Sequence, residues 1–347
     1  MYKLFVHGGG AMLRYLIRRI LWAIVLFVVV TLVTYVIFFL VPNDLAAKVA
    51  GQGSSQEQRA RAIHHLGLDR PVYVQYAKFM WLLIKPVPVH IGSVPVFVRP
   101  NGNLGYSYVR ASSVNSLVKS AAPVTGSLVF GGVIVWLLMA LPIGILSALR
   151  PRSVLDRTSM TFVLIGISAH PIWIGLIFAY IFGFRLGWFP ISGYCNFFNA
   201  AGGCGGPAQW AYHLVLPWLT YAILFAALYA RMVRANVMEA LTEDYVRTAR
   251  AKGAPESRVL RSHVLRNALL PVVTMLGMDI GIGLGGAIFT ETIYNLPGLG
   301  KLLLRAIGES DLPIVMGVVV FATFAIIVFN LLIDLVYAWI DPRIRLS

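Results

Sequence analysis

The sequence predicts an all-α integral membrane protein with six transmembrane helices. Three observations carry that reading. The first is bulk composition. Of 347 residues, 58% are hydrophobic and only 12% charged, with a mean hydropathy of +0.77, far too apolar for a soluble domain of this length. The second is the presence of six apolar stretches, at residues 20–41, 124–149, 160–182, 214–229, 269–289 and 314–340. A helix needs ~20 mostly apolar residues to cross ~30 Å of hydrocarbon. The third is the placement of charge. With the N-terminus inside, the inner segments hold seventeen Lys and Arg and the two short outer loops hold three. That asymmetry orients the chain with both termini cytoplasmic. The formal net charge of +15 is therefore mainly a topology signal. It does not point to nucleic acid, and no nucleic-acid-binding motif accompanies it.

The first stretch follows Arg14, Arg18 and Arg19, which is the flank of a signal peptide. A cleavable signal has a shorter apolar region and a small-residue cleavage site. This run is longer and ends in Leu40-Val41-Pro42, so it reads as a retained helix, with residues 1–42 as the first segment. Residues 43–122 form a long extracytoplasmic loop or cap. Within it, residues 56–66 look helical, residues 71–81 (PVYVQYAKFMW) place aromatics near a membrane surface, and residues 86–100, crowded with Val, Pro and Gly, suggest an irregular or β-like excursion.

Residues 123–347 form the core, with five helices. His170 precedes Pro171 inside the third stretch and reads as a packing residue at a kink. The fourth stretch is short and extends to both sides. The fifth carries Gly277, Gly281, Gly283, Gly285 and Gly286; small residues let helices approach closely in lipid, which suits an interior helix. Asp279 and Asp334 lie in or near the last two stretches. Charges in a bilayer are costly and usually functional. Asp279 is the better candidate for a substrate pathway, with a structural hydrogen-bonding role as the alternative.

The two cysteines, Cys195 and Cys204, fall in the outer loop between the third and fourth stretches, beside Gly202, Gly203, Gly205 and Gly206. A nine-residue spacing on an oxidising side favours a disulfide. Two cysteines alone are a weak metal signal, since structural zinc usually takes four ligands. Catalytic chemistry is not legible. There is no phosphate-binding GxxxxGK[ST] loop and no HExxH, so no catalytic residue and no metal is expected.

Between the fourth and fifth stretches lies a charged loop, residues 231–270. Its segment 239–271 reads EALTEDYVRTARAKGAPESRVLRSHVLRNALLP. Met238, Leu241, Tyr245 and Ala249 recur at three- and four-residue spacing and share a helix face. Gly253 ends that helix easily, and Pro255 suits the start of a second, in which Leu260, Val264 and Ala268 stack. The pattern is helix, Gly-Pro corner, helix. From the residues alone it serves either to touch a soluble partner or as a basic face resting in solvent or on anionic lipid.

Residues 245–271 resemble the EAA loop of binding-protein-dependent ABC importers, and most closely the dipeptide/oligopeptide/nickel permease family. The stretches HHLGLDRPVYVQY (64–76), GNLGYSY (102–108), LPIGILSALRPRSVLDR (141–157), LGWFPISGY (186–194), ETIYNLPGLGKLL (291–303) and DPRIR (341–345) agree in order along the chain. The resemblance is to the first of the two permeases such systems encode. The general EAA glutamate is missing, since Arg247-Thr248-Ala249 stands before Gly253.

The resemblance implies a type I ABC importer permease fold with an extracytoplasmic insertion after the first helix. It implies a bacterial inner membrane location and a second homologous permease. It also implies two cytoplasmic ATPases holding ATP and Mg, an extracytoplasmic substrate-binding protein and peptide cargo. Tyr245, Arg247, Thr248, Ala249, Arg250 and Gly253 would couple to an ATPase, with Tyr245 and Ala249 as the packing face. Met278, Asp279 and Glu291 are the pathway candidates. Membrane lipid is the expected surround, and no cofactor is expected in this chain. An ion-coupled secondary transporter is the alternative; it would want intramembrane ionisable pairs and internal repeats, which the chain does not show.

Overall fold

A computed structural model describes residues 9–40, 55–57, 60, 64, 69–91, 94–100, 102–198 and 204–340. Most of residues 56–66, the 341–345 segment and the side chain of Asp334 lie outside the described residues. The chain is an all-α integral membrane protein, apart from two small antiparallel β pairs. Among the described residues, four helices are long and apolar enough to cross a membrane, and two bent helix pairs bring the number to six. The chain divides into two compact units. The first holds residues 1–122, 302–327 and 343–347; the second holds residues 123–301 and 328–342.

In the first unit, α1 (Gly9–Leu40) is held by α2 (Val72–Ile84). The hydroxyls of Thr31 and Tyr76 share a hydrogen bond of 2.9 Å, Tyr35 donates to Gln75 at 3.1 Å, and the Tyr35 and Tyr76 rings meet edge to face. These polar contacts lie on an otherwise exposed apolar helix long enough to cross a membrane, where a bare hydroxyl would be costly. The expected β-like excursion is a hairpin, β1 (Pro86–Ile91) with β2 (Val94–Pro100), whose register slips between Val89 and His90. A short pair follows, β3 (Tyr106–Ser107) and β4 (Ser112–Ser113). The turn between these two strands is clamped: Arg110 makes a two-pronged pair with Glu309 at 3.0–3.1 Å, and Ser107 donates to buried Asp311.

The second unit holds most of the core. α3 (Val114–Leu149) begins well before the apolar stretch that predicts it. The third apolar stretch is not one straight helix. It is α4 (Val154–Ser168) and α5 (Pro171–Arg185), bent by 104°. The reason is local: Pro171 excludes the helical region for the residue before it, and Ala169 and His170 are both extended. His170 Nδ1 then accepts the Ile172 N–H at 3.3 Å and caps α5, the role of an N-cap. α6 (Pro207–Thr242) extends the fourth stretch on both sides. α7 (Asp244–Ala251) and α8 (Glu256–Ala268) form the charged loop. α9 (Leu270–Leu284) is shorter than its apolar stretch, and α10 (Ile288–Ile293) follows a break. α11 (Leu299–Gly308) and α12 (Leu312–Ile340) follow, each divided between the two units.

The glycines of α9 allow close packing. A Cβ on Gly277 would strike the Ile333 side chain of α12, so the two helices touch where only hydrogen fits.

Candidate functional site

Residues 239–271 fold into two helices joined at a closed corner. α6 stops where Glu243 turns extended, and the Glu243 carbonyl accepts the N–H groups of Val246 and Arg247 at 3.0 and 3.2 Å to start α7. α7 ends in a Schellman arrangement. The Ala254 N–H reaches the Ala249 carbonyl at 3.2 Å, the Gly253 N–H reaches the Arg250 carbonyl at 2.9 Å, and Gly253 sits at φ +78°. That pairing satisfies carbonyls that a helix end otherwise leaves orphaned. Pro255 then opens α8, its carbonyl accepting from Arg258 and Val259. Across the corner, Arg250 grips Glu256 with two bonds of 2.8 and 3.2 Å. An exposed pair contributes little stability, but a two-pronged one fixes direction.

The two faces of α7 differ sharply. Val246 and Ala249 are buried, and α7 packs on the π-turn of α8 (Val259–Val264), where Val259 and Val264 are also buried. Tyr245, Arg247, Thr248, Arg250 and Lys252 are exposed. Of the coupling residues named from the sequence, Ala249 therefore points into this chain, while Tyr245, Arg247, Thr248 and Arg250 point out of it. Gly253 shapes the corner between them.

A bend of 45° at Leu269 joins α8 to α9. On α9, Met278 is exposed and Asp279 is half-buried. Tyr229 of α6 donates to Asp279 at 2.6 Å. Tyr229 belongs to an aromatic cluster with Trp136, Tyr221 and Phe225; Trp136 lies 4.6 Å from Phe225 and 5.6 Å from Tyr229, ring centre to ring centre. Trp136 is fully buried, and its indole N–H has no partner among the described residues.

Glu291 is placed differently from Met278 and Asp279. It is 0% exposed. Thr125 donates to it at 2.6 Å and the Lys301 N–H at 2.9 Å, while Thr125 accepts the Leu299 N–H at 2.8 Å. Carboxylate and hydroxyl together cap the N-terminus of α11, where exposed N–H groups and the helix dipole favour negative charge. Burial pushes the Glu291 carboxyl above the usual carboxylate range, against hydrogen bonds from Thr125, Lys301, Gly300 and Ala287 that favour the anion. The geometry makes Glu291 a support of its own chain.

One link had no counterpart in the sequence reading. Arg234 of α6 grips Asp156 of α4 with two bonds of 2.7 and 2.8 Å, and the Arg152 N–H adds a third contact to the carboxylate at 2.9 Å. It ties the turn between α3 and α4 to the helix that leads into α7. Asp156 stands in the quoted LPIGILSALRPRSVLDR stretch, but its partner is 78 residues away, a distance at which sequence spacing carries no signal.

Between α5 and α6, Cys195 and Cys204 are joined in a disulfide, with Cα atoms 5.2 Å apart. His213 Nδ1 lies 3.3 Å from Cys195 Sγ and 3.0 Å from the Gln209 carbonyl. Three potential metal ligands thus gather here, but bonded sulfurs offer no thiolate to a metal.

Comparison with known proteins identifies relatives along nearly the whole chain. Residues 140–346 match the family described as binding-protein-dependent transport system inner membrane component, and residues 12–129 match the N-terminal part of such components. The oligopeptide transport system permease protein AppB of Bacillus subtilis is 35% identical over 341 residues, covering 96% of this chain and 100% of that protein. A Brucella abortus protein named for a peptide transport system permease is 33% identical over 330 residues, covering 95% of this chain and 98% of that protein.

Proposed function

The chain belongs to the family of binding-protein-dependent transport system inner membrane components, and on that premise we propose that it is the permease subunit of a bacterial importer whose cargo is peptide. The curated relatives named for peptide and oligopeptide transport support that cargo class. In this reading a second, homologous permease completes the pathway. Two cytoplasmic ATPases bind ATP and Mg, and an extracytoplasmic binding protein delivers the peptide. Both termini and residues 231–270 face the cytoplasm, and Cys195 and Cys204 face outward. This chain performs no chemistry; it converts motion.

The observation that carries the coupling role is the closed corner at Gly253. α6 runs into α7 and α8 runs into α9, so a push on the corner reaches two membrane-spanning helices at once. Those helices meet again at the Tyr229–Asp279 hydrogen bond, and the Asp156–Arg234 pair carries the same displacement to α4. ATP binding to a partner shifts this equilibrium only by its differential affinity for the two states. Met278 and Asp279, on the accessible side of α9, remain the pathway candidates. The ion-coupled alternative has no comparable support: Glu291 is engaged with its own chain, Asp279 pairs with Tyr229, and the family match points to ATP-driven import.

The test is charge reversal on the exposed face. Arg247→Glu with Lys252→Glu alters no buried contact. The variant should lose co-purifying ATPases while keeping the second permease. Retention of both ATPases at the wild-type ratio would remove this face from the contact.

A further inference from the structure

We propose that the groove between α3, α4, α5 and α6 binds an anionic phospholipid of the inner leaflet. One acyl chain lies in the groove, and the phosphodiester is held by Arg150 and Arg231. The groove has a volume of about 490 Å³, and Ser159 is the one polar residue in its lining. Its floor is made of small buried residues, Gly166, Ala226, Ala227 and Ala230, and its rim includes exposed Phe162 and Ile177. The groove exists because the 104° bend between α4 and α5 turns α5 away from the line of α4 and opens a notch beside the alanines of α6.

Its contents follow from chemistry. Water needs two to four polar partners to settle in a cavity, and this lining does not provide them. The volume falls in the ~300–1,000 Å³ range of ligand sites, and all four walls belong to membrane-spanning elements. In a bilayer the apolar molecule at hand is an acyl chain.

The inner end of the groove identifies the headgroup. The α6 stripe of Ile223, Ala227 and Ala230 continues at helical spacing to Arg234, and the α3 stripe of Met139 and Ile143 continues to Arg150. Arg234 is neutralised by Asp156. Arg150 and Arg231 are exposed and have no ion-pair partner among the described residues. Arg231 follows the lining residue Ala230 and Arg150 lies two helical turns beyond the lining residue Ile143, so an apolar trough with two unpaired guanidiniums beyond its last lining residues is complementary to a lipid with an apolar tail and an anionic head. Guanidinium pairs well with phosphate oxygens, and basic pockets between spanning helices on the cytoplasmic side hold anionic headgroups. The leaflet assignment rests on the orientation proposed above. The lipid claim is read independently of transport.

The test uses the assembled importer, purified in detergent, delipidated and titrated with dioleoyl-phosphatidylglycerol or dioleoyl-phosphatidylcholine. Retained lipid is counted by native mass spectrometry. Phosphatidylglycerol should be retained in preference to phosphatidylcholine. Arg150→Gln with Arg231→Gln should weaken its retention about twenty-five-fold, taking roughly a fivefold loss for each cation near an anionic surface, and the double Lys variant should restore most of it. Ile177→Trp, at the exposed rim, should obstruct the groove and lower retention of both lipids. Glycerol phosphate, a headgroup without a chain, should not compete. Equal retention of the two lipids, or retention unchanged in both the Gln and Trp variants, overturns the proposal. So does full competition by glycerol phosphate.

Discussion

Substitution at Gly253 separates backbone conformation from side-chain bulk, because the position is open. No atom lies within 4 Å of a Cβ placed there, yet φ is +78°. Whatever a replacement costs therefore comes from the left-handed backbone and not from a clash. For an ordinary L-residue that conformation costs about 1–2 kcal/mol; asparagine tolerates it better, and a β-branched residue is a genuine outlier there. A cost of that size shifts the balance between closed and unwound corner by roughly five- to thirtyfold. Unwinding also releases the two Schellman hydrogen bonds from Gly253 and Ala254. The assay is ATP-dependent uptake of a labelled peptide by the assembled importer in proteoliposomes, with ATP hydrolysis measured in parallel. Gly253→Asn should remain close to wild type, Gly253→Ala should lose several-fold, and Gly253→Val should lose most coupled uptake while its ATPases cease to respond to the binding protein. The order is the diagnostic. Normal uptake by Gly253→Val, or better uptake by Ala than by Asn, would refute the argument, because side-chain size would then outrank backbone conformation.

Three other outcomes follow from the same geometry. Asp156→Asn should destabilise the purified permease by about 1–3 kcal/mol, because it leaves the Arg234 guanidinium without its charged partner; an unchanged thermal midpoint in detergent would show that the pair braces nothing. Glu291→Ala should cost a similar ~1–3 kcal/mol through the orphaned N-terminus of α11, with Glu291→Gln milder, and a hydrogen-exchange profile of residues 299–303 identical to wild type would argue against the cap. Replacing Cys195 and Cys204 by Ser should remove roughly 2–3 kcal/mol of local stabilisation expected for so short a loop without preventing insertion; two freely alkylatable thiols in the unreduced wild-type protein would contradict the bond.

The membrane class and the order of the spans are legible because they depend on runs of ~20 residues, which composition reports directly. The corner at Gly253 is legible for a different reason: a glycine followed two residues later by a proline is a backbone instruction that no distant contact overrides. The bend at His170 is only partly legible. A proline inside an apolar run signals a kink, but the 104° angle depends on two successive extended residues, and hydropathy is blind to dihedral angles. Glu291 and Asp279 look alike in sequence, since each is an acid beside an apolar run. Thr125, which distinguishes them, is 166 residues from Glu291. The Asp156–Arg234 pair is hidden in the same way. Partners set by tertiary packing leave no period in the chain.

The inward turn of Ala249 changes how the loop can work. A helix that offered Tyr245 and Ala249 together to a partner would be held in place only when the partner was bound. Here Val246 and Ala249 are already buried, and α7 already packs on the turn that buries Val259 and Val264, while the Arg250–Glu256 grip fixes the angle between the two helices. Binding an already ordered corner avoids the ordering cost of about 0.5–1.5 kcal/mol for each side chain that would otherwise be immobilised at the contact. It also changes what the corner does with force. A loosely held loop absorbs displacement by altering its own dihedrals, whereas a corner with a packed interior and a satisfied helix end moves as one piece. On the proposed coupling role its motion passes to the spanning helices at two junctions, the extended Glu243 after α6 and the 45° bend into α9. On the proposed coupling role, the valines, which carry no charge and are turned into this chain, are as necessary as the arginines that face outward.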